Sequence, residues 1–147
     1  MAIKTVTLAR PHPAIVGDMV PFLEKLGIEV EQITRLEQLQ YELTLTTDAV
    51  VISLAVTSTV RATVERVLSE VMRLNPNVLL IFSSELPLKK KQKNLFYMLS
   101  RYFENPCITD CDNECAPTYD GRCLYICGDD LKLEGRRQKV RDLIKRY

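Results

Sequence analysis

Glycine is scarce in this chain, five among 147 residues. None of the five stands in the Gly-x-Gly-x-x-Gly turn of a dinucleotide site or in a glycine-rich turn ending in Gly-Lys-Ser/Thr, so neither phosphate-cradling motif is present. No stretch approaches the roughly 18 apolar residues of a membrane span. The N-terminus also lacks the apolar core of about 7–15 residues that a secretory signal needs, and the expected setting is cytoplasmic. Excess charge of either sign is missing too: 20 Lys and Arg face 19 Asp and Glu, a net of +1. Bulk attraction to polyanions and the behaviour of an acidic solvating segment are both excluded. That balance hides an asymmetry, because residues 1–85 carry seven cations against ten anions and residues 86–147 thirteen against nine.

What is present is enough apolar content, 46%, to bury one full core, and residues 1–147 are expected to form a single domain. Strand and helix periodicity alternate five times. Strands are expected over residues 3–9, 28–33, 49–56, 78–82 and 122–127. Helices are expected over residues 14–26, 36–45, 60–74, 89–103 and 131–147, the first carrying Pro21 and ending at Gly27, a residue suited to a left-handed cap. Residues 49–56 and 78–82 are apolar almost throughout, which places them in the middle of a parallel sheet. Thr57, Ser58 and Thr59 are candidate caps for the third helix and could cradle a phosphate there. In the fourth helix Leu95, Phe96, Leu99 and Phe103 are expected to point inward.

This layout resembles the flavodoxin-like doubly wound fold, and most of all the receiver domain of bacterial response regulators. The resemblance implies a three-layer α/β domain with a five-stranded, mostly parallel sheet in the order 2-1-3-4-5 and helices on both faces. It also implies an acidic pair after the first strand, a phosphate-accepting aspartate ending the third, a Ser or Thr after the fourth and a Lys after the fifth. The corresponding stretches here read Ala9-Arg10-Pro11, Ser53-Leu54-Ala55, Ser83-Ser84 and Cys127-Gly128, and only the serine position matches. Without those carboxylates nothing would hold Mg²⁺ or accept a phosphoryl group. A phosphorylation-independent pseudo-receiver is the form the resemblance takes.

All five cysteines fall between positions 107 and 127: Cys107, Cys111, Cys115, Cys123 and Cys127. Residues 104–121 lack periodicity and read as a long cysteine-rich loop. Pairs separated by three residues approach zinc-ligand spacing, so zinc is the cofactor considered. Cys123 and Cys127, however, lie about 13 Å apart if their segment is a strand. Metal binding, disulfide or redox chemistry, and plain burial of the strand thiols all remain open.

Two further constellations stand out. His12, the only histidine, lies between two prolines after the first strand, at the end of the sheet where open α/β folds bind ligands. Arg10, Ser83, Ser84 and Asp129 would share that crevice. Lys89, Lys90, Lys91 and Lys93, together with Arg136, Arg137 and Arg141, would supply a basic interaction surface on the fourth and fifth helices. The leading expectation is a non-enzymatic regulatory or protein-interaction module whose partner is a protein, a second copy included; no nucleic-acid motif accompanies the basic run. The alternatives are a cysteine-dependent metal or redox module and a small enzyme using the crevice around His12.

Overall fold

A computed structural model describes residues 3–41, 47–113 and 121–147, with the backbone alone for positions 121 and 122. The strands are β1 (Thr5–Arg10), β2 (Glu29–Gln32), β3 (Ala49–Ser53), β4 (Leu79–Ser84), β5 (Pro106–Thr109) and β6 (Gly121–Cys127). The helices used below are α1 (Pro13–Lys25), α2 (Val64–Leu74), α3 (Leu88–Leu99) and α4 (Glu134–Lys145). All six strands are parallel, in the order β2-β1-β3-β4-β6-β5. The architecture is an α/β parallel sheet compatible with the flavodoxin-like fold.

Burial explains the order. Every residue of β3 is buried, and β3 pairs in parallel with β4 from Ala49↔Leu79 to Ser53↔Ser83. Strands apolar on both faces need a helix layer on each side. On one face α2 and α3 cover Val50, Ile52, Leu80, Phe82 and Tyr125; on the other α1 and α4 cover Val6, Leu8, Val51, Ile81 and Leu124. β2, whose residues are exposed or half-buried, lies at the edge, where its glutamates guard the open side.

The sheet has six strands rather than the expected five. Residues 106–109 add a strand outside β6, within the segment read from sequence as a loop. Four residues are too few to display periodicity, and a proline is tolerated at the start of an edge strand. Ile108 and Thr109 are nevertheless buried there.

Helix boundaries carry the other corrections. α1 runs through Pro21, which has no N–H and therefore leaves the Gly17 carbonyl without its helical donor. Gly27 ends the turn at φ 79°, as its position suggests. α2 starts at Val64 under Thr63, whose Oγ1 accepts from the Arg66 amide at 3.2 Å; Thr57, Ser58 and Thr59 precede the helix and do not cap it. Ser58 instead donates to the Pro11 carbonyl at 2.6 Å. In α3 the buried positions are Leu88, Leu95, Met98 and Leu99, and Phe96 faces outward. α4 begins at Glu134, three residues after the expected start at 131, and a 3₁₀ turn, Gly128–Leu131, precedes it.

Candidate functional site

At the carboxyl ends of β1, β3 and β4 the crevice residues separate into two groups. Arg10, His12 and Ser83 line one cavity together with Ser53, whereas Ser84 and Asp129 lie outside it. The cavity is small, about 10 Å³. That is space for about one water.

Arg10 fills the space. It is buried, and its guanidinium donates to the carbonyls of Ser53 at 2.7 Å, Ala55 at 2.5 Å, Val56 at 3.2 Å and Ala62 at 2.9 Å. Burial lowers its pKa, and Glu65 opposes that fall. No carboxylate pairs with it directly among the described residues. Carbonyl dipoles therefore solvate the charge, and the guanidinium holds residues 53–62 over the end of the sheet. The β1–β3 pairing slips between Leu8 and Arg10, a bulge of the kind that re-aims a side chain.

His12 is occupied as a helix cap: its Nδ1 accepts from the Ala14 amide at 3.2 Å. Ser84 Oγ accepts from the Leu86 amide at 3.0 Å. Ser83 Oγ is buried and has no partner, the one polar loose end of the crevice.

The cysteines divide three ways. Cys107 is disulfide-bonded, and Cys115 lies outside the described residues. Cys123 and Cys127 are buried on the α2/α3 face of β6 as small apolar residues; burial pushes the Cys123 thiol up to about 12 and raises that of Cys127. Cys111 carries a free, half-buried thiol. Among the described residues no group of three or more His, Cys, Asp or Glu is placed to hold a metal ion.

Around Cys111 the charges instead converge on Arg136. Asp110 starts the arrangement by accepting from the amides of Asp112 at 2.9 Å and Asn113 at 2.7 Å, which folds the chain after β5 into a tight turn. Arg136 then donates Nη1 and Nη2 to the two Asp112 oxygens at 2.9 and 2.6 Å, and Nε to Asp130 at 2.9 Å. The Cys111 thiol donates to Asp130 at 3.4 Å and accepts from Arg136 at 3.2 Å. Burial, then Asp130, push this thiol up to about 12, with Arg136 pulling the other way. An uncharged thiol is a poor nucleophile, and these surroundings favour the uncharged form of Cys111.

The basic residues also part company. Lys89, Lys90 and Lys93 are exposed on α3, with Lys91 half-buried. α3 and α4 lie on opposite faces of the sheet, and the α4 arginines are not a free basic patch: Arg136 is tied as described, while Arg137 and Arg141 both engage Glu134. Lys89, Lys93 and Tyr97 follow one another at four-residue intervals along the outer side of α3, with Phe96 beside them. Phe96 is 51% exposed and Tyr97 68%, and the Arg101 guanidinium stands 5.7 Å from the Tyr97 ring centre. Sequence reasoning placed Phe96 inside and passed over Tyr97. The signal was available, since a Leu88, Leu95 and Leu99 stripe leaves positions 89, 93 and 97 on the far side.

No described helix is long and apolar enough to cross a membrane. No protein-family model matches the chain, and a search of curated proteins returns no match.

Proposed function

We propose that this chain is a protein-interaction module of pseudo-receiver type that docks an acidic protein surface on the outer face of α3. The observation that carries the reading is the exposed pair Phe96 and Tyr97, set among Lys89, Lys90, Lys93 and Arg101. Exposed aromatics next to cations are costly to leave in water and are the residue types that dominate binding energy at protein interfaces. Four of those neighbours are cationic, so the complementary partner surface is acidic. The end of the sheet supports the pseudo-receiver part: where a receiver needs carboxylates for Mg²⁺, a guanidinium already binds the carbonyls and occupies the volume.

A photo-crosslinking residue placed at Tyr97, with one at Glu31 on the opposite sheet edge as control, tests the reading. The expected result is a single adduct from position 97, mapping to an acidic segment of another protein or of a second copy, and lost in K89E/K93E. Equal adducts from both positions, or an adduct with nucleic acid, would overturn it.

One observation favours a second reading. Cys107 is disulfide-bonded in β5, a few residues before the Arg136 cluster, so a two-electron, two-proton reduction by a dithiol would loosen the same turn that Arg136 holds. Reduction that leaves hydrogen exchange in residues 106–113 unchanged would dispose of it.

A further inference from the structure

On the face of the sheet opposite α3, a groove between α1 and α4 encloses about 180 Å³. The α1 wall is low because Gly17 has no side chain and Pro21 a short one; a Cβ at Gly17 would meet nothing within 4 Å. Phe22 and Leu131, both buried, give the groove an apolar floor.

The α4 wall is cationic. Arg137, Arg141 and Lys25 line the groove against Glu134 and Asp18, one positive charge in excess. Glu134 bridges the two arginines, with one oxygen on Arg137 Nη2 and the other on Arg141 Nη2 at 3.2 Å. Arg141 is further committed through Nη1 to Gln138 at 2.7 Å. Arg137 is not fully used: its Nε is buried and has no partner. Nε–H and the adjacent Nη2–H form the edge of a guanidinium that fits both oxygens of one oxyanion. Here that edge is half-filled, and a buried charged donor left without an acceptor calls for an explanation. Glu134 itself is 70% exposed on the solvent side and can swing aside without disturbing the core.

We propose that the α1–α4 groove is a binding site for a small anion, a carboxylate or a phosphate, gripped by the Nε–Nη2 edge of Arg137 with Glu134 as the built-in occupant it displaces onto Arg141. The site is separate from the α3 surface, and either assignment can fail without the other.

Thermal unfolding and calorimetric titration with inorganic phosphate and with propionate, at constant ionic strength against chloride, test this directly. The expected result is saturable stabilisation by one of the two anions, and which one identifies the ligand chemistry. Arg137→Lys keeps the charge but loses the two-pronged edge and should weaken that binding about tenfold or more. Glu134→Gln removes the competing carboxylate and should tighten it about threefold. No saturable effect above chloride with either anion, in the native chain and in E134Q alike, would overturn the proposal. So would undiminished affinity in folded R137K. Should R137K fail to fold, K25Q at the exposed rim takes its place, and unchanged affinity there together with unchanged affinity in E134Q would count equally against the site.

Discussion

Arg10 and Arg136 each fasten a loop, and they do it by different electrostatic means. Arg10 is buried and surrounded by four carbonyl oxygens from residues 53–62, with no carboxylate bound to it. Arg136 is half-exposed and is held by Asp112, Asp130 and the Cys111 sulfur. Dipoles solvate the first charge; opposite charges neutralise the second. The difference decides what each fastening responds to. Carbonyls do not titrate, so pH reaches the Arg10 clamp only through the charge of Glu65, which is not bonded to it, whereas the Arg136 cluster depends on directly bound carboxylates staying ionised and couples to a thiol.

Removing Arg10 should produce the largest effect. Arg10→Met strands several buried carbonyls at once and should cost about 3–5 kcal/mol in urea unfolding. Lysine should rescue little, because a single ammonium cannot span four acceptors. A loss below about 1 kcal/mol would mean that the carbonyls find other donors and that the clamp is incidental. The loss should change little between pH 7 and pH 3, by no more than the Glu65 charge contributes.

Arg136→Met should cost less, about 1–2 kcal/mol, since Asp112 is nearly half exposed and water screens its share. Its pH dependence sharpens the contrast. The hydrogen bonds from Arg136, and then its charge, hold the Asp112 carboxyl below the usual range, so the pair stabilises the fold above the unfolded value of about 3.9 and the contribution is lost as pH falls through the lower folded value. The gap between R136M and the native chain should therefore be full at pH 5–7 and close below about pH 4. A gap that persists in acid would assign the effect to packing. Reversing the charge at Arg136 should cost more than R136M, because it sets a third negative charge against Asp112 and Asp130.

The smallest effect reads the thiol. Asp130→Asn removes the main electrostatic influence that raises the Cys111 pKa, and alkylation of Cys111 at pH 8 should accelerate about threefold or more, with Cys123, raised by burial alone, unchanged. No acceleration would show that burial alone controls Cys111.

The sequence made the centre of the sheet legible because β3 and β4 must be apolar on both faces, and only a central parallel position supplies that. It hid β5 because a four-residue edge strand needs only one covered face and carries a proline. Arg10 was visible as a crevice residue, but its role was not: its acceptors are backbone carbonyls, which every residue has and no side-chain pattern marks. Arg136 was hidden for another reason: its carboxylate partners Asp112 and Asp130 lie 24 and 6 residues upstream. Only folding brings them to one guanidinium. Phe96 was misplaced for a different reason: apolar character alone does not settle the direction of a helical side chain, whereas the phase of the leucine stripe does.

The reach of the Arg10 clamp has a kinetic consequence. It joins points 43 to 52 residues apart along the chain, and none of its acceptors is in place until β1 has paired with β3. Closing so long a loop is entropically expensive and is repaid only after the sheet exists. The guanidinium is thus a fastening made after the main barrier has been crossed. Its energy falls on the way out of the native state, lengthening the lifetime of the folded chain while leaving the speed of its formation nearly untouched.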